Sequence, residues 1–136
     1  MGIKYEYAPD ILEVVRDLRD TMGMFHIKLD SIAVMRSRGS SGRGTVARCH
    51  ALGKIMQMAL GRSGQGFYVL EFISEKFDRL SEEEKIKTII HEMLHIPKSF
   101  GGGFKHHDFV NHHNIDKFFR AYKTLKAKKD YSINGF

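Results

Sequence analysis

Residues 81–97 read SEEEKIKTIIHEMLHIP, and this stretch decides the fold. It predicts a helix over residues 81–96. Ser81 and Glu84 have the spacing of a capping box, in which hydroxyl and carboxylate each satisfy an orphan amide of the first turn. Glu82, Glu83 and Glu84 place negative charge at the positive end of the helix dipole. Pro97 has no amide proton and stops the run. Ile86, Ile89, Ile90, Met93, Leu94 and Ile96 surround its second half with apolar side chains, as expected of a helix buried beneath a cleft. Such a helix needs other layers to cover it.

Upstream, residues 67–73 (FYVLEFI) are apolar, aromatic and β-branched, which predicts a strand. Residues 46–60 are ambiguous between a strand, a bend and a further strand or turn. Residues 36–45 (RSRGSSGRGT) read as a Gly/Ser/Arg loop. Residues 25–29 (FHIKL) alternate apolar and polar, a strand signal, and residues 32–35 continue as a second apolar piece. Ile11, Val15, Leu18 and Met22 recur at helical spacing, so residues 10–22 are expected to be a helix. Asp10 can cap it, Glu13 follows three later, and Gly23 can end it. Downstream, Gly101-Gly102-Gly103 is a turn. Residues 107–128 are expected to form a last helix, with Phe109, Ile115, Phe119, Tyr122 and Leu125 as its apolar side. Helix, strands, helix, turn, helix is an α+β order, with a small sheet packed against helices.

The chain has 136 residues. It shows no internal repeat and no long linker, so one domain over 1–136 is expected. That length buries a sizeable core without disulfides. Apolar residues are 42% and charged residues 28%, the balance of an ordinary soluble domain. No run of 18 or more apolar residues is present, which argues against a membrane span. Residues 1–10 are polar and aromatic, unlike a signal peptide. Cys49 is the one cysteine, so a reducing, cytoplasmic setting is expected. The oligomeric state leaves no signature in the sequence.

The net charge is +6. Arg36, Arg38, Arg43 and Arg48 form one basic group, and Lys123, Lys126, Lys128 and Lys129 another. They can attract nucleic acid or acidic substrates, although charge runs of this kind are also ordinary solvated surface.

Six of the eight histidines lie between His91 and His113. His91-Glu92-Met93-Leu94-His95 is H-E-x-x-H on the expected helix. Residues four apart lie on one face, one turn above the other. Two imidazoles so placed can grip one zinc ion. Glu92 is rotated about 100° from His91, so it can stand beside the ion and take a proton from water activated there. The five-letter pattern also arises by chance, but here it sits on a capped helix with more histidines downstream. A catalytic zinc keeps three protein ligands and one open position. His106 and His107 follow the glycine turn, and spacing does not choose between them. Asp108 can orient a neighbouring imidazole or cap the next helix. His112 and His113 read as outer, surface or core residues rather than ligands, Cys49-His50 as structural, and His26 as a strand residue with no metal role.

At these residues the chain resembles the metallopeptidase domains of archaea and phages, which belong with the zincins. The segment HEMLHIPKSFGGGFKHHDFV carries the resemblance, and residues 48–61 and 67–84 extend it over about two thirds of the chain. It is similar, more distantly, to the SprT-like peptidases, though it has no glycine directly after His107 and no Cys-rich zinc ribbon. The resemblance implies a minimal zincin: a short mixed sheet, an active-site helix and a following helix bearing the third ligand. It implies a zinc-dependent peptidase acting on peptide or protein substrates. His91 and His95 would be ligands and Glu92 the general base. His107 would be the third ligand, on the F-x-G-x-x-x-x-H pattern that starts at Phe100. It also suggests that the strand at residues 67–73 is an edge strand that pairs with extended substrate, while the residues themselves read equally as a buried core strand. Two alternatives stand beside it: a DNA-associated protease, and a nucleic-acid-binding protein whose closed, four-ligand zinc site only holds the fold.

Overall fold

The central helix forms as α4, Glu82–Leu94, and the rest of the chain is arranged to bury it. The structure, a computed structural model, describes residues 2–40, 44–105 and 109–134, with side chains as far as residue 130. Its strands are β1 (Lys4–Tyr7), β2 (Ile32–Arg38), β3 (Ala47–Ala51) and β4 (Tyr68–Ile73). Its helices are α1 (Pro9–Met22), α2 (Lys54–Ala59), α3 (Ser74–Phe77), α4 and α5 (His112–Asn134). The strands form one sheet in the order β1-β2-β4-β3. β2 and β4 run parallel and the outer pairs antiparallel. This is an α+β fold with a small mixed sheet packed on helices, compatible with a minimal zincin.

Register explains the core. Ile32 pairs with Tyr68, Val34 with Leu70, and Cys49 with Leu70 from the other side. Alternate residues share a face, so Tyr68, Leu70 and Phe72 stand in one row. All three are fully buried, in one cluster with Ile89, Ile90 and Met93 of α4, Ile11, Val15 and Leu18 of α1, and Ile115, Phe119 and Tyr122 of α5. Each large apolar side chain buried this way contributes about 1.5–3 kcal/mol. β1 and β3 are left as the two edges of the sheet.

The helix ends follow local chemistry. Ser81 caps α4, its Oγ accepting from the Glu84 amide at 3.2 Å. α4 ends at Leu94 with His95 at its cap, before Pro97. Gly23 ends α1 in the left-handed conformation, which a residue without Cβ adopts at little steric cost. Asp10 does not cap α1. The helix starts at Pro9, whose fixed φ and missing amide proton suit the first helical position, and Ala8 occupies the cap without a side-chain bond. Asp10 instead accepts both arms of the Arg36 guanidinium, at 2.6 and 2.7 Å. That hydrogen bonding holds the Asp10 carboxyl below its usual range. Tyr122 and Lys126 of α5 both donate to Asp17 of α1, which ties the two helices across the core.

Several expectations are corrected. Residues 25–29 are not a strand; they form turns leading into a short 3₁₀ turn, Leu29–Ser31. Their alternation does not reflect burial on a sheet, since Ile27 is buried but Phe25 is 61% exposed. Arg36 and Arg38, expected in a loop, belong to β2. Arg36 also pairs with Asp78, Arg38 with Glu6, and Arg48 lies 3.7 Å from Glu71. Arg43 lies outside the described residues. The last helix begins at His112 rather than at residue 107, because the Asn111 side chain caps it by accepting from the Asn114 amide. Phe109 therefore precedes the helix, and Leu125 faces solvent. Among the described residues no helix is long and apolar enough to cross a membrane.

Candidate metal centre

The buried side of α4 carries Ile89, Ile90, Met93 and Leu94. That anchoring fixes the turn on which His91, Glu92 and His95 stand. One ligand atom from each of the three lies within 4.8 Å of the others. The two imidazole centroids are 5.0 Å apart with ring planes at 62°. Glu92 is 5% exposed, and its Oε2 lies 3.9 Å from His91 Nε2. Burial pushes the Glu92 carboxyl up to about 7, because a carboxylate taken from water loses its solvation. A cation beside it would offset that loss.

The orientation of His95 is set from outside the helix. Its backbone carbonyl accepts from the Lys105 amide at 2.8 Å. Its Nδ1 lies 2.7 Å from the Lys105 carbonyl oxygen. A carbonyl only accepts, so Nδ1 carries a proton, and in the neutral ring Nε2 then keeps its lone pair. That is the tautomer required for binding a metal through Nε2. Two imidazoles are also donors suited to zinc, with the Glu92 carboxyl beside them.

A cavity of about 380 Å³ opens onto the three residues and is lined also by Ala47 and Cys49 of β3 and by Phe104 and Lys105. A second, of about 800 Å³, reaches the same His91 and Glu92 from the side of Thr45, Lys87 and His112. The two cavities share His91, Glu92 and Ala47 of β3, and the open groove at the site lies beside that strand. The edge strand here is therefore β3. The strand expected in that role, β4, is interior, paired with β2 and β3. Burial, and secondarily the Glu92 charge, pushes the Cys49 thiol up to about 12, which favours the neutral thiol at the groove.

His91, Glu92 and His95 are thus brought together. His107, like His106 and Asp108, lies outside the described residues. His112 lines the groove from the start of α5, His113 is exposed, and His50 contacts Glu71 at 2.7 Å. His26 sits in a turn, where burial lowers its pKa. Sequence reasoning missed Lys105, Phe104 and Cys49. The decisive atom of Lys105 is a backbone oxygen, for which residue type gives no signal. Cys49 was read only as a structural residue, in a stretch whose secondary structure the pattern left ambiguous.

A family model described as "Putative phage metallopeptidase" matches residues 3–131. No curated protein and no solved structure matches the chain.

Proposed function

Because the chain belongs to the phage metallopeptidase family, we propose that it is a zinc-dependent peptidase, acting as one domain over 1–136, with its chemistry on α4. The observation that carries this is the convergence of His91, Glu92 and His95 ligand atoms within 4.8 Å on the floor of an open groove. His91 and His95 would hold the metal. His107 is the proposed third ligand; it follows Lys105 by two residues, and the Lys105 backbone is already bonded to His95. Zinc bound there supplies Lewis-acid polarisation of the scissile carbonyl and acidifies the attacking water toward ~7.

The remaining roles belong to the chain. Glu92 takes the proton of the attacking water on its carboxylate and passes it to the leaving amine nitrogen. The surrounding apolar side chains keep bulk water from solvating that carboxylate. Peptide or protein substrate lies along the free edge of β3, exchanging main-chain hydrogen bonds with it. Ala47 and Cys49 are small, which leaves room for the substrate beside α4. The open groove favours a catalytic site over a purely structural one, since structural zinc sites are closed by four protein ligands.

The test is hydrolysis of an unfolded polypeptide by the purified protein. Activity is expected to disappear on chelation and to return with added zinc. Full activity in the metal-free protein would refute the proposal.

A further inference from the structure

We infer that Tyr68 and Gln57 are positioning residues for His95, acting through the turn at residues 100–105; this rests on the metal site proposed above. Both are buried, Tyr68 at 0% and Gln57 at 1% exposure.

Three successive glycines have little conformational preference of their own, so whatever holds this turn must come from outside it. Gln57 Nε2 donates to the carbonyls of Gly101, at 3.1 Å, and Leu52, at 2.8 Å. Tyr68 Oη accepts from the Gly102 amide and donates to the Gly103 carbonyl, each at 2.9 Å. Every glycine of the run is therefore bonded by a side chain from α2 or β4. The Tyr68 ring stands edge-on to Phe100, with centroids 4.8 Å apart. Two residues past Gly103, the Lys105 carbonyl faces His95 Nδ1. A shift of the turn carries that carbonyl with it. Without its acceptor, the His95 imidazole can rotate or exchange tautomers and present a protonated nitrogen to the metal.

The composition of α2 supports this role. Ile55 is 80% exposed and Met58 71%, while the buried residue is the glutamine. A helix that turns its apolar residues outward and buries an amide is not built to extend the core. Its inward face serves the turn.

The test compares Tyr68→Phe and Gln57→Leu with the wild-type protein and with a core control on α1, Leu18→Ala. Zinc affinity is measured by competition with a chromophoric chelator, and the His95 tautomer of the metal-free protein by ¹⁵N NMR. Both variants are expected to bind zinc about 10–100-fold more weakly, the usual effect of losing an outer partner of a metal ligand. They should also lose the predominance of the Nδ1–H tautomer. The Leu18→Ala control should be less stable yet keep wild-type affinity and tautomer. A purely structural role predicts variants of lower thermal stability whose zinc affinity and His95 tautomer match the wild type, and that result overturns the inference alone. A wild-type protein that binds no zinc overturns the metal-site proposal and this inference together.

Discussion

Replacing Glu92 by glutamine is expected to lower kcat/KM for peptide hydrolysis by about 10²–10⁴-fold, the usual contribution of a positioned general acid–base, while zinc affinity stays within a few-fold of wild type. The amide keeps the shape and burial of the carboxyl but cannot accept the proton of the attacking water. The fold should survive, because burial already disfavours the charged form of Glu92 and its apolar neighbours are untouched. Affinity should survive because Glu92 is proposed as a base rather than a ligand. Steady-state kinetics on a fluorogenic peptide, paired with zinc titration, separates the two properties. Hydrolysis within about tenfold of wild type would assign the base to another group. A collapse of zinc affinity would make Glu92 a ligand.

The largest stability effect is expected at Gly66, remote from the chemistry in sequence. A Cβ there would sit 2.1 Å from the Phe100 carbonyl oxygen and 3.0 Å from its carbon. Both are backbone atoms, so no side-chain rotation relieves the clash. Phe100 itself already has φ 51°, a left-handed conformation rare for a large residue. Gly66→Ala must therefore push the turn away from β4. We expect a loss of about 3 kcal/mol, the upper end for overpacking, and a thermal midpoint lower by roughly 10 °C. Thermal unfolding of the metal-free protein followed by circular dichroism reads this directly. An unchanged midpoint would mean that the turn is not held against Gly66 in solution.

What could be read from residues alone divides along physical lines. α4 and α1 were legible because their apolar residues keep helical spacing and each ends on a cap or breaker: Ser81 and Pro97 for one, Gly23 for the other. β4 was legible because it is buried and β-branched, but its neighbours were not, since strand order is set by long-range pairing that no local pattern encodes. β1 left no trace because all four of its residues are exposed. The alternation at residues 25–29 misled. The Ile27 carbonyl accepts from the Arg19 side chain, and the segment has no strand partner. α2 inverts the amphipathic rule by burying Gln57, so periodicity could not find it. At the site, the motif named His91, Glu92 and His95, and their proximity follows from helical geometry. The clamp on His95 is a carbonyl oxygen on a turn held by Tyr68 and Gln57, and a backbone acceptor is silent in any reading by residue type.

The account depends on α4 offering two imidazoles to one divalent ion. The most direct test is the zinc content of the folded protein after equilibrium dialysis, for wild type and for the His91→Ala/His95→Ala double variant. One zinc per wild-type chain is expected, and none in the folded double variant. Wild-type protein that holds no metal, or a double variant that holds as much as wild type, would contradict the account.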